Sequence, residues 1–140
     1  MTTIDCLFIK KAISANLGSF TGRPPCTRFA AKADAAGVHD WIIDPGFGFA
    51  KTVEQNYRLL DSLERFKETG HKVLVGISRK SFIYKPLGIT PEEALPATQA
   101  IHLAALERGA DILRVHDVAA AQETVRIYRM LSLPDTPEGV

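Results

Sequence analysis

The run Lys72-Val73-Leu74-Val75-Gly76 limits the fold of this chain more than any other stretch. Consecutive apolar residues leave no polar side for solvent, so the segment suits a strand buried on both faces of a parallel sheet. Two further segments read as strands, Trp41-Ile42-Ile43 and the stretch over 111–117. Parallel neighbours need a crossover of a dozen residues or more between them, and helical patterns fill both intervals.

An alanine-rich helix is expected from Arg28, with Phe29, Ala30, Ala33, Ala35 and Ala36, and Gly37 as its stop. Thr52-Val53-Glu54-Gln55 is a capping-box sequence. Val53, Tyr57, Leu60, Leu63 and Phe66 then come at helical spacing, Arg58, Asp61, Glu64 and Lys67 stay outside, and Gly70 closes the helix. Thr90-Pro91-Glu92-Glu93 marks another helix start. Pro96 is expected to break the helix begun there, which makes the second crossover two helical pieces. Its second piece carries Ile101, Leu103, Ala104 and Ala105 and ends at Gly109. Asp117 is placed to cap a last helix with Val118, Ala121, Val125 and Tyr128 on one face. The rhythm is helix, then three strand–helix units, each about the length of a unit in a (β/α)8 barrel of ~250 residues. Three strands do not close a barrel.

Composition fits one soluble domain: 140 residues, 46% hydrophobic and 24% charged. With 17 Lys+Arg against 16 Asp+Glu, the net charge is +1, so no global basic field points to nucleic acid or membrane. Any anion site must be local. No apolar run reaches spanning length, and Met1-Thr2-Thr3-Ile4-Asp5 does not read as a secretory signal, so a cytoplasmic protein is expected. Cys6 and Cys26 fit a reducing compartment, with a single disulfide as the open alternative. Residues 1–27 carry no motif and are left unassigned; the tail from Ser132 is expected to fray.

Ligands of parallel α/β folds sit at the carboxyl ends of the strands, and each strand here ends in polar groups. The first ends in Asp44, followed by Pro45-Gly46-Phe47-Gly48-Phe49-Ala50-Lys51. The second runs into Gly76, Ser78, Lys80 and Ser81. In the third, Ile112, Arg114 and His116 share one face by alternation, and Leu113 and Val115 the other. Lys80, Arg114 and His116 together read as an anion clamp, to which a helix starting near Ser81 would add N–H groups. Structural alternatives stay open: an internal ion pair of Arg114 with Asp44 or Asp117, a hydrogen-bonded neutral His116, and a plain turn at residues 45–49. His39, His71 and His102 read as turn, loop and helix-surface residues without ligand spacing, and Asp111 as a stabilising group at the strand's start. Cationic groups suit a phosphate, and the Asp44 carboxylate suits the N–H groups of an amino-substituted heterocycle.

Three stretches, in this order, carry a resemblance. They are Asp44-Pro45-Gly46-Phe47-Gly48-Phe49-Ala50-Lys51, Leu74-Val75-Gly76-Ile77-Ser78-Arg79-Lys80-Ser81, and Gly109-Ala110-Asp111-Ile112-Leu113-Arg114-Val115-His116-Asp117-Val118. Together they resemble dihydropteroate synthase over residues 28–131. The resemblance implies an α/β fold that is part of a (β/α)8 TIM barrel, units six to eight preceded by one helix. It implies condensation of 6-hydroxymethyl-7,8-dihydropterin diphosphate with p-aminobenzoate, with Mg2+ assistance, in folate biosynthesis. By the same resemblance, Asp44 holds the pterin, Lys80 lies between the two substrate sites, and Arg114 and His116 take the diphosphate. Phe49 and Ser81 fall in the p-aminobenzoate pocket and Gly76 lies against the pterin. Ala50 stands where many members have glycine. None of the matched residues is a metal ligand; the family's upstream part supplies that, and its C-terminal helices form a homodimer. Family members are about twice this length. The expectation is therefore a dihydropteroate synthase chain, or a non-enzymatic remnant that self-associates or binds a partner, with another α/β phosphate-binding enzyme as the third reading.

Overall fold

In a computed structural model the described residues are 12–14, 26–38 and 40–132, with side chains from residue 31 onward except position 39. His39, Cys6 and the tail over 133–140 lie outside them. The order is β1 (Ala12–Ser14), α1 (Cys26–Ala35), β2 (Ile42–Asp44), α2 (Val53–Asp61), a 3-10 helix (Leu63–Thr69) and β3 (Lys72–Val75). Then come α3 (Ser81–Leu87), α4 (Leu95–Glu107), β4 (Ile112–Leu113) and α5 (Val118–Leu131).

All strand pairs are parallel, in the order β1-β2-β3-β4. Sheet order that follows chain order, with a helical crossover at each step, is the arrangement of a barrel sector; a doubly wound sheet reverses direction partway. The sequence reading has three strands. The structure adds β1, paired Ala12 to Ile42 and Ser14 to Asp44, so the first helix also belongs to a strand–helix unit. Three residues, Ala12-Ile13-Ser14, between Lys11 and Ala15 are too few to show a strand pattern in the sequence.

Packing explains the apolar runs. Ile43, Val73 and Val75 enter a core with Phe47, Leu59, Leu63, Phe66, Ile77, Phe82 and Ile83, while Ile42 and Leu74 are buried on the opposite face. Phe47 stacks on Phe82 with centroids 6.0 Å apart, and Tyr57 meets Phe82 edge-on at 5.7 Å. At the strands' starting end, Asp111 accepts from Val73 N at 2.8 Å and from Lys67 Nζ at 2.6 Å, tying β3 to the entry of β4. That is the stabilising role expected of it.

Some local helix signals hold and one does not: residues 91–94 form a turn, and the helix expected from Thr90-Pro91 begins only at Leu95. Thr52 and Gln55 form the reciprocal capping box. Gly37, at φ +73, ends α1 with Val38 N donating to Ala33 O and Gly37 N to Asp34 O. The inward face after Thr52 differs from its periodicity. Asn56, Leu59 and Leu60 are buried and continue at helical spacing into the buried Leu63, whereas Val53 and Tyr57 lie at the margin of that stripe, each 37% exposed. Pro96 does not break the second crossover. It sits in the first turn of α4, where its missing N–H costs nothing, and the division falls at Gly88, in the left-handed region.

His102 is the clearest reversal. Expected on a helix surface, it is fully buried where α4 packs on α5. Its Nδ1 lies 3.4 Å from Gln99 Oε1, which also accepts from Thr124 Oγ1 at 2.8 Å. Its Nε2 has no hydrogen-bond partner, which assigns the proton of the neutral ring to Nδ1. His71, read as a plain loop residue, stacks on Trp41 with centroids 3.6 Å apart.

Burial pushes His102 down to about 4, against a weaker opposing pull from Asp117. As pH falls below about 6.5 the unfolded chain takes up a proton that the folded chain refuses, so stability falls until pH ~4 and then levels. The expected loss from this residue is on the order of 3 kcal/mol. Urea unfolding between pH 7.5 and 4 checks it: His102→Gln should show a shallower decline than wild type, and parallel declines would refute the assignment.

Candidate active site at the strand ends

The β2 strand delivers Asp44 to the sheet's carboxyl edge, 9% exposed. Its Oδ1 accepts from Gly46 N at 2.9 Å, an Asx-type turn that positive φ at Gly46 permits. Its Oδ2 faces Arg114 Nη2 at 3.9 Å, an ion pair too long for a hydrogen bond. A largely buried carboxylate oxygen is thus left free to accept from a ligand.

Two lysines and one asparagine hold the loop after Asp44. Lys51 Nζ donates to Gly46 O at 2.7 Å and Phe49 O at 3.2 Å, and Lys80 Nζ donates to Phe47 O. Gly48 N donates to Oδ1 of the buried Asn56 at 2.7 Å. Phe47 is thereby drawn into the core while Phe49 stays 60% exposed, with Lys80 Nζ 4.8 Å from its ring centroid. Gly48 is at φ +81, and a Cβ there would lie 2.9 Å from Lys80 Cδ. Burial lowers the Lys80 pKa, helped by the Arg114 charge and opposed by Asp44. Lys51 is lowered too, by burial against the pull of Asp44.

From β3 the chain runs through Gly76 beneath the Arg114 guanidinium. A Cβ on Gly76 would lie 2.7 Å from Nη2, so the missing side chain is what lets the guanidinium lie there. The β4 strand ends earlier than expected, at Leu113; Arg114 N still donates to Val75 O at 2.9 Å, but Arg114 and His116 project from a loop. His116 is anchored by Ser78, whose Oγ lies 3.0 Å from Nδ1 and accepts from the backbone N at 3.3 Å. Asp117 caps α5 by position without a side-chain cap bond; its carboxylate is taken by Arg79. Ser81 is exposed and opens a helix of seven residues, too short to supply the N-terminal field expected of it.

Asp44, Lys80 and Arg114 are therefore brought together, Phe49 and Gly76 border them, and His116 joins through Ser78. Lys51 and Asn56 escaped the sequence reading. A polar residue on the buried side of the helix after Thr52 was the available signal for Asn56; Lys51 reads as a loop lysine. Among the described residues no group of three or more His, Cys, Asp or Glu could hold a metal ion. The described residues thus do not by themselves fit the Mg2+ that the resemblance implies. Among them, no helix is long and apolar enough to cross a membrane.

An acid and clustered cations at the carboxyl edge of a barrel sector define a class of ligand-binding α/β barrel proteins, and comparison with known proteins narrows it. The model of the pterin-binding enzyme family matches residues 26–116, and the chain belongs to that family. Within it, the chain carries part of a dihydropteroate synthase barrel. It is 43% identical over 97 residues to the Haemophilus influenzae dihydropteroate synthase, covering 68% of this chain and 35% of that protein. With the Streptococcus pyogenes enzyme it shares 47% identity over 93 residues, 65% of this chain and 35% of that one. The chain spans about a third of the length of these curated relatives.

Solved structures agree. The Yersinia pestis dihydropteroate synthase superposes with a TM-score of 0.72 at 33% identity, covering 76% of this chain and 51% of that one. The Xanthomonas albilineans enzyme with 4-aminobenzoic acid gives 0.72 at 40%, covering 76% and 41%. The Thermus thermophilus enzyme in complex with 6HMPPP gives 0.68 at 42%, covering 73% and 41%.

Two substitutions test this geometry. Ala50 occupies the left-handed region at φ +49, which costs an L-residue ~1–2 kcal/mol against ~0.5–1 kcal/mol of extra chain entropy for glycine. Ala50→Gly should therefore stabilise the fold by about 0.5–1 kcal/mol, read as a raised urea midpoint. Gly76→Ala should leave thermal stability within a few degrees, because the exposed guanidinium can yield. It should nonetheless displace Arg114 in a crystal structure of the variant; an unmoved Arg114 would contradict the contact.

Proposed function

We propose that this chain forms one wall of a dihydropteroate synthase active site, where a pterin diphosphate meets p-aminobenzoate. The observation that carries the reading is the Asp44 carboxylate, buried yet with Oδ2 free of hydrogen bonds, facing Arg114 across the strand ends. A buried acceptor of that kind suits the N–H groups of an aminopterin ring. Its negative charge stabilises positive charge developing on that ring as the bond to diphosphate breaks. Arg114 and His116 take the departing diphosphate, Arg114 over the ring as the Gly76 backbone permits. The amine of p-aminobenzoate supplies the new C–N bond and loses its proton, so no residue of this chain has to act as a nucleophile. Lys80, its pKa lowered, lies between the acid and the exposed Phe49 ring, where the aromatic acid would sit with Ser81 at its edge. Mg2+, if it takes part, draws its ligands from outside the described residues.

Calorimetric titration with 6-hydroxymethyl-7,8-dihydropterin diphosphate tests this. Removing the acceptor in Asp44→Ala should weaken binding by about a hundredfold, as expected for a lost charge-assisted contact. Arg114→Ala should weaken it by about tenfold and make the remainder less salt-sensitive. Equal affinity for wild type and Asp44→Ala would defeat the reading.

A second reading has its own observation. Ile127, Met130 and Leu131 of α5 are all more than half exposed, an apolar surface that fits self-association through the C-terminal helices. Sedimentation equilibrium of Met130→Glu against wild type distinguishes a dimer on this face from a monomer.

A further inference from the structure

Arg79 stands between Ser78 and Lys80, yet its own side chain is committed away from Asp44 and Arg114. Its backbone lies in the left-handed region at φ +53, which a non-glycine residue keeps only where its surroundings impose it. Five hydrogen bonds do so. Its backbone N donates to Oγ1 of the fully buried Thr98 at 3.2 Å. Its Nε and Nη2 donate to the two Asp117 oxygens at 2.8 and 2.7 Å, and Nη1 donates to Pro91 O and Glu92 O at 3.1 and 3.0 Å.

Those partners belong to different segments: α4, the connection between α3 and α4, and the loop between β4 and α5. Asp117 directly follows His116, as Arg79 directly precedes Lys80. The turn at Arg79 is closed by Lys80 N donating to Ile77 O at 3.0 Å, which sends the Lys80 side chain towards Phe47 O. A bidentate pair neutralises its own charge, so it adds rigidity to the site and little field. The hydrogen bonds from Arg79 hold the Asp117 carboxyl below its ordinary range, and the pair stays ionised at neutral pH.

We infer that Arg79 and Asp117 are a positioning pair: their ion pair clamps the loops after β3 and β4 together, setting Lys80 against Phe47 and His116 against Ser78. The inference rests on the proposed function in taking Lys80 and His116 as site cations. Neither Arg79 nor Asp117 touches the ligand.

The test uses the unliganded chain first. In two-dimensional NMR, Arg79→Gln and Asp117→Asn should move the same signals, the amides of Ser78, Lys80 and His116 and the His116 ring. The Val73 and Asp111 amides at the opposite sheet edge should stay in place as the control for folding. The double variant should move them no further than either single one, and Arg79→Lys should recover part of the shift. Titration with inorganic pyrophosphate comes second: both single variants should bind about tenfold more weakly than wild type, the cost of misplaced cations.

A different role predicts the opposite sign. Were Arg79 itself an anion ligand restrained by Asp117, Asp117→Asn would tighten pyrophosphate binding, and that result overturns the inference. Unmoved Lys80 and His116 signals in a folded variant overturn it as well. If Arg79→Gln does not fold, Asp117→Asn decides alone. Wild type that binds no pyrophosphate counts against the proposed function, while the unliganded spectra still decide the inference.

Discussion

The β3 ladder is the constraint on which the other features depend. Lys72–Val75 pairs with β2 on one side and β4 on the other, and is buried on both faces from Val73 on. A strand so enclosed has one workable register, because a slip by one residue would exchange Val73 and Val75 with Leu74 between helix side and inner side. Once that register is set, the carboxyl ends of β2, β3 and β4 meet at one edge. Asp44, Gly76 and Arg114 then face one another without any contact between them having to drive the fold.

What the site adds is a group of local devices that hold backbone still. Lys51, Lys80 and Asn56 occupy carbonyl and amide groups of the loop after Asp44. Ser78 holds His116, and Arg79 with Asp117 holds the two loops that carry Lys80 and His116. Several polar groups that look available in sequence are thus already engaged, and Asp44 Oδ2 keeps its capacity. The left-handed residues Ala50 and Arg79 sit on either side of this arrangement, where a packed loop can impose an unfavourable backbone.

Membership of the pterin-binding family fits the same picture, since the matched span of 26–116 takes in Asp44, Lys80, Arg114 and His116. The part of this chain that aligns is about a third of each relative, so the roles of these residues within a whole barrel are a proposal.

The sequence by itself determined the elements whose signals are local. The apolar strands, the Thr52–Gln55 box, the stops at Gly37 and Gly70 and the strand-end placement of Asp44 and Lys80 all stem from near neighbours. Tertiary structure decided the rest. His102 and Gly76 take their meaning from residues distant in the chain, α5 over one and the Arg114 guanidinium over the other. Asp117 follows capping preference in position only, because Arg79, 38 positions away, offers its carboxylate a bidentate partner. Asn56 and Leu59, and not Val53 and Tyr57, complete the inward stripe with Leu60 and Leu63, because what the helix packs against decides which of its sides is covered. Periodicity and capping report on a few adjacent residues; burial and ion pairing depend on which segments the sheet brings together.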